Sequence, residues 1–156
     1  MKKYPGLITD CCDSNVNDKA RLIGFACSIM SMSRRHSLFQ VATLQLWISP
    51  AIDHKQIAFF FDKSSTPIGF VTWAHLAPDV VGRLINDPSF LLHPSEWNEG
   101  GATWIIDFCF YKGDAFEVVK HIKTVLQKGS INRVHWTRRN DDLNIRKISS
   151  FGLRPI

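Results

Sequence analysis

The sequence predicts an α+β fold, a mainly antiparallel sheet with helices packed against it. Three observations carry that expectation. Helical spacing dominates the first third of the chain, two β-branched and aromatic runs flank a polar turn in the middle, and a strand–helix–strand pattern closes the sequence. No repeat, low-complexity stretch or Pro/Gly-rich linker interrupts the 156 residues, so residues 1–156 read as a single domain.

Taken in order, Asp13 or Ser14 can cap a helix running to about Met32, with Ala20, Ile23, Gly24, Cys27 and Met30 on one face. Leu38 to Ile48 repeats helical spacing through Leu38, Val41, Ala42, Leu46 and Trp47, and Pro50 is expected to end it. Gln56 to Asp62 and Ile68 to Ala74 read as a hairpin around Lys63-Ser64-Ser65-Thr66-Pro67. Pro78 to Ile85 predicts a short helix, and Asn86 to Gly101 an irregular loop holding Pro88, Pro94 and Trp97. Thr103 to Phe110 has the composition of the most buried strand. Asp114 then caps an amphipathic helix with Val118, Ile122, Val125 and Leu126 inward, Lys120 and Lys123 outward, and Gly129 at its end. Ile131 to Trp136 and Lys147 to Leu153 predict the last two strands.

Composition narrows the function. A 45% hydrophobic, 12% aromatic chain of this length buries a core without staples. Cys11, Cys12, Cys27 and Cys109 show no CxxC spacing, and neighbours such as Cys11 and Cys12 pair poorly, so free thiols in a reducing compartment are expected. Lys2 and Lys3 precede too short an apolar stretch for a signal peptide, and no run approaches a membrane span. A cytoplasmic location is the expectation. The net charge of +5 gathers in the last quarter, at Arg133, Arg138, Arg139, Arg146, Lys147 and Arg154, with Arg34-Arg35 beside His36. Nucleic acid, anionic lipid or an acidic protein would each answer that charge.

Two residues carry candidate chemistry. Asp107 sits inside the apolar run Trp104-Ile105-Ile106-Asp107-Phe108. Either it alternates outward on a half-exposed strand, or it is a partnered carboxylate orienting a histidine. His36 stands at the break between two helical patterns, as a surface residue or as that histidine. His54, His75, His93, His121 and His135 form no HxH, HxxH or HExxH spacing, so no metal is expected. A Cys–His nucleophile through Cys109 or Cys27 is conceivable, and no GxSxG elbow, P-loop or GxGxxG occurs. The five tryptophans fit core packing or base stacking.

The order of several short blocks adds a resemblance. Ser33-Arg34-Arg35-His36 leads to Ser49-Pro50-Ala51-Ile52, the proline fourteen residues after the histidine. Thr72-Trp73-Ala74-His75-Leu76, Glu96-Trp97-Asn98-Glu99-Gly100, Trp104-Ile105-Ile106-Asp107-Phe108 and Gly113-Asp114 follow, then Arg133-Val134 and Lys147-Ile148-Ser149-Ser150-Phe151. Over about residues 22–153 this resembles the toxin-activating lysine acyltransferases, the haemolysin-activating family, whose corresponding blocks are Ser-Pro-Leu-His, Leu-Pro-Ala-Ile, Ser-Trp-Ala-x-Leu, Asp-Trp-x-x-Gly, Trp-x-Ile-Asp-Trp and Gly-Asp. The chain departs from that pattern at Arg34-Arg35, at Trp47, where many members carry Asn, and at Phe108, where they carry Trp.

The resemblance implies a GNAT-like fold and transfer of a fatty acyl group from acyl carrier protein to lysines of an RTX protoxin. It implies catalytic His36 and Asp107, supporting Ser33 and Arg133, no cofactor beyond the acyl donor, no nucleic-acid partner, and possible homodimerisation. A lysine with a reference pKa of about 10.4 is neutral in roughly one molecule in 2,500 at pH 7, so an imidazole base suits the reaction. His36 would take the amine proton while Asp107 fixes its tautomer; a covalent acyl-His or acyl-Ser33 is a further route. An acetyl-CoA-dependent acetyltransferase and a non-catalytic binding module are the rival readings. The sequence carries no Arg/Gln-x-x-Gly-x-Gly/Ala loop of the kind that holds coenzyme A pyrophosphate.

Overall fold

The computed structural model describes residues 8–10 and 16–153. The expected cap at Asp13 or Ser14, the pair Cys11-Cys12, the Lys2-Lys3 terminus and Arg154 lie outside the described residues. A six-stranded sheet runs in the order β1 (Ile8–Asp10), β2 (Ile57–Phe61), β3 (Pro67–Leu76), β4 (Ala102–Phe110), β5 (Arg133–Arg139), β6 (Ile145–Gly152). All neighbours are antiparallel except β4 and β5, which are parallel. A parallel neighbour needs a crossover, and the helix α4 (Ala115–Lys128) supplies it.

Helices cover both faces. α1 (Val16–Met32), α2 (Ser49–Asp53) and α3 (Pro78–Asn86) bury Leu22, Ala26, Ile29, Ala51, Ile52, Val80 and Leu84 against Phe59, Phe61, Phe70, Ala74 and Leu76. α4 buries Val118, Ile122 and Leu126 against Ala58, Phe60, Val71 and Trp73 on the other face. That is why β2 reads IAFFF without alternation: every residue of it is buried.

The hairpin forms as expected. Asp62 Oδ1 accepts from the Ser64 and Thr66 amides at 2.9 and 3.1 Å, closing the turn between β2 and β3. Asp114 caps α4 by accepting from the Phe116 amide at 2.8 Å, and Gly129 follows its last turn. At the entry to β4, Gly101 has φ +83°, and a Cβ there would lie 2.6 Å from the Leu76 carbonyl oxygen.

Three expectations change. Pro50 does not end a helix. Residues 44–48 form a π turn, in which the Ser49 amide reaches back five residues to the Leu44 carbonyl, and Pro50 then lies in the first turn of α2. The wider turn moves the preceding carbonyls out of α register, where the proline ring would otherwise collide with one. Second, β4 is not the most buried strand. Its register with β5 holds only at Thr103–Val134 and Trp104–His135, so its distal half, from Ile105 onward, is partly exposed where β5 departs. Third, β5 runs through Thr137-Arg138-Arg139, and β1 forms with no apolar run to announce it.

Replacing Asp114 with Ala removes one cap and should cost about 1 kcal/mol in urea denaturation with an unchanged slope. A loss several times larger would mean that the residue holds more than its helix end.

Candidate active site

The segment after α1 is wound by its own short-range hydrogen bonds. The Ser33 amide donates to the Met30 carbonyl, the Ser37 amide to the Ser33 carbonyl, and His36–Leu38 makes one 3-10 turn. Ser33 and His36 stand three residues apart, which in such a turn places the hydroxyl over the later residue. Ser33 Oγ accordingly lies 3.4 Å from the His36 amide nitrogen and 2.9 Å from its ring Nδ1. The Ser-x-x-His spacing is therefore a device that holds the imidazole by one nitrogen.

Asp107 reaches the other nitrogen because β4 contains one extra residue. Thr72 pairs with Asp107 and Trp73 with Ile105, leaving Ile106 without an opposite number. Before this bulge Trp104 faces the α1–α3 side and Ile105 the α4 side; beyond it Cys109 faces the α1–α3 side and Phe110 the α4 side. The bulge reverses the alternation and turns Asp107 onto the face that carries His36. Thr72, wholly buried, accepts the Asp107 amide on its Oγ1 at 3.0 Å and fixes the bulge. The outward alternation of Asp107 is thus excluded.

His36 Nε2 lies 3.0 and 3.2 Å from the two Asp107 carboxylate oxygens. The histidine is 6% exposed and the Asp107 side chain 17%. Phe39 and Phe70 stand against the imidazole at ring separations of 5.0 and 6.4 Å, and the buried Cys109 lies beside it. Burial alone would pull the His36 pKa down. The hydrogen bond and charge of Asp107, together with Cys109 beside the ring, outweigh it and raise the value to about 9. In the neutral ring Nε2–H donates to Asp107, so Nδ1 carries the lone pair and accepts from the Ser33 hydroxyl. The basic atom is Nδ1, and serine, imidazole and carboxylate stand in one line.

The structure thus joins three of the four expected site residues, His36, Asp107 and Ser33. Arg133 lies apart from them, at the start of β5, donating to Ser150 Oγ at 3.3 Å. It borders a cleft of about 440 Å³ at the opposite end of β4, with His75, Asn98, Thr103 and His135. Burial lowers the pKa of His75; burial and then Arg133 lower that of His135. Trp47 packs edge-to-face on the buried Trp97 at 6.2 Å, in the core. Arg133, Arg138, Arg139, Arg146 and Lys147 share one hairpin: Arg138 pairs with Lys147 across β5–β6, and Arg139 donates to the Leu84 and Leu143 carbonyls. Cys27 and Cys109 are free. Among the described residues, no cluster of three His, Cys, Asp or Glu could hold a metal ion, and no helix is long and apolar enough to cross a membrane.

Sequence reasoning missed Thr72 and Phe39; Cys109, weighed there as a nucleophile beside a histidine, stands next to the His36 ring. Thr72 had left a trace, as the one hydroxyl in the apolar run Ile68-Gly69-Phe70-Val71-Thr72-Trp73-Ala74.

Comparison with known proteins places the chain in a family. The family described as RTX toxin acyltransferase matches residues 15–151. The leukotoxin-activating lysine-acyltransferase LtxC of Aggregatibacter actinomycetemcomitans is 25% identical over 107 residues, covering 69% of this chain and 62% of that protein. The protein-lysine myristoyltransferase RtxC of Kingella kingae is 25% identical over 112 residues, covering 72% and 66%. LktC of a Pasteurella haemolytica-like strain, a leukotoxin-activating lysine-acyltransferase, is 31% identical over 78 residues, covering 50% and 46%. The chain therefore spans less than two thirds of the length of these relatives. A GNAT-family acetyltransferase from Listeria monocytogenes superposes with a TM-score of 0.52 at 9% identity, covering 86% of this chain and 78% of the other, which shows the shared fold.

The His36 ring should titrate near pH 9 by NMR, and Asp107→Asn should move the midpoint down. Because the folded value lies above the reference of about 6.5, the linked stabilisation is complete below that pH. It fades as pH rises through about 9, by on the order of 3 kcal/mol. Melting temperature should fall across that window, and His36→Ala should flatten the decline. A ring titrating at or below 6.5 in the wild type would contradict the pairing.

Proposed function

Because the chain belongs to the RTX toxin acyltransferase family, we propose that it is a protein-lysine fatty acyltransferase that activates an RTX protoxin, moving an acyl chain from acyl carrier protein to internal lysines. The observation that carries this reading is the buried Ser33–His36–Asp107 line, with a basic nitrogen at one end and a carboxylate at the other.

The amine of the incoming lysine attacks the thioester carbonyl. Its proton passes to His36 Nδ1, directly or through Ser33 Oγ, and Asp107 stabilises the imidazolium. Collapse of the tetrahedral intermediate breaks the C–S bond, and the imidazolium returns the proton to the departing thiolate. The contact of Ser33 Oγ with Nδ1 at 2.9 Å also favours a two-step route through acyl-Ser33, which would appear as an acyl increment on the enzyme when acceptor is withheld.

Two features support a carrier protein over coenzyme A as donor. A helix N-terminus ordinarily offers its free amides to a phosphate. At α4 the Asp114 carboxylate already accepts from the Phe116 amide, and Glu117 adds a second acid in the first turn. The exposed basic hairpin, with Arg34 and Arg35 next to His36, suits an acidic protein surface. A donor of that kind places the reaction in the cytoplasm.

Intact mass of a protoxin fragment, incubated with this protein and acyl carrier protein bearing C14 or C16 chains, tests the proposal. A lysine-borne acyl increment is expected in the wild type, reduced by at least about 10²-fold in His36→Ala. With a resting pKa of about 9, roughly one His36 in a hundred is neutral at pH 7. Transfer should therefore accelerate with pH up to that value, and Asp107→Asn should shift the limb to lower pH. No increment from folded protein with any donor would sink the enzyme reading. Saturable transfer from acetyl-CoA would point to an acetyltransferase instead.

A further inference from the structure

The densest run in sequence of apolar side chains left uncovered among the described residues is the segment that holds His36. Met32, Leu38, Phe39, Val41 and Leu46 are all exposed within fifteen residues, Leu38 at 85% and Val41 at 81%. Single exposed apolar residues are ordinary on soluble proteins, whereas a concentrated set marks a surface with an occupant. The same segment anchors itself through Leu44, Trp47 and Ile48, which pack into the core under α1–α3. Its outward set is therefore not required to hold the segment down.

We propose that this strip seats the fatty acyl chain and sets the preference for its length, an inference that rests on the acyl-transfer reading above. The hydrocarbon is the one wholly apolar part of the substrates, and it is bonded to the carbonyl that must reach Ser33 and His36. Phe39 meets that condition: its ring stands 5.0 Å from the His36 ring, and its amide donates to the His36 carbonyl. From there the strip continues along the chain through Val41 to Leu46. A rival seat, a slot of about 240 Å³ lined by Phe108, Phe110, Tyr111 and Val118, is less suited. The bulge at Ile106 puts Phe108 on the face of β4 opposite Asp107, so a chain lodged there would hold its carbonyl across the sheet from the imidazole. An open strip, unlike a closed tunnel, gives a graded dependence on length.

The test measures kcat/KM for acyl carrier protein loaded with C8, C12 and C16 chains, beside photo-crosslinking with a diazirine-bearing acyl chain on the same carrier. The wild type should gain about twofold per added methylene, the effect of burying half of each one. Leu38→Ser and Val41→Ser should flatten that gradient, with the C16 donor losing most and the C8 donor least. Crosslinks should map to residues 38–46. Equal losses for every donor, an unchanged gradient, or crosslinks to Phe108–Val118 would each overturn the proposal. So would an unchanged gradient accompanied by conversion of a dimer to a monomer in light scattering, which would make the strip a subunit interface. Crosslinks at 38–46 without transfer by the wild type would uphold the strip and overturn the transfer reading instead.

Discussion

The site depends on one residue that has no partner. A strand alternates its side chains with a period of two, so a single extra residue reverses every face beyond it. Ile106 is that residue in β4. With it, the same strand feeds Trp104 and Cys109 into the core under α1–α3, and Asp107 turns to meet the loop that follows α1. In an unbroken ladder Asp107 would share the face of Ile105, under α4, and the imidazole would be buried without a counter-charge. The Thr72 hydroxyl keeps the bulge in place by accepting the Asp107 amide, a side chain standing in where the ladder has lost its rhythm.

The energetics of the pair follow from that placement. Burial disfavours a charged imidazole, and an adjacent carboxylate favours it; in His36 the second effect prevails. The interaction also joins residues that are 71 positions apart in sequence, tying the turn after α1 to a central strand. Ser33 closes the arrangement from the other side and leaves the ring little rotational freedom. Orientation, charge and burial are thus properties of one three-residue unit, so a change in any member is felt by the others.

Much of this was legible in the sequence because the signals are local. The cap at Asp114, the turn of the hairpin and the amphipathic face of α4 each follow from residues within a few positions of one another. His36 and Asp107 were visible as polar residues in conspicuous places, and the order of the surrounding blocks joined them. What stayed hidden requires knowledge of neighbours. A bulge has no composition of its own, since Ile105-Ile106 reads like any strand interior. The π turn was hidden by Pro50, whose usual effect is to end a helix. Arg133 was expected as a supporting residue on the resemblance, and the parallel pairing of β4 and β5 carries it to the far end of the strand. The polar half of β5 gains its place from pairing with β6 and from the bonds of Arg139 to the Leu84 and Leu143 carbonyls, partners that lie beyond its own run.

The seam between β4 and β5 gives the sheet an unequal mechanical character. Two paired positions hold the strands together there, whereas β5 is joined to β6 along its whole length from Arg133 to Arg139. The β5–β6 hairpin therefore keeps its station by packing more than by the ladder: Val134 and Leu153 share a core with Val118, Ile122 and Leu126 of α4, and Arg139 donates to the Leu84 carbonyl of α3. Arg133, Arg138, Arg139, Arg146 and Lys147 thus stand on a part of the sheet whose position α4 and α3 hold jointly.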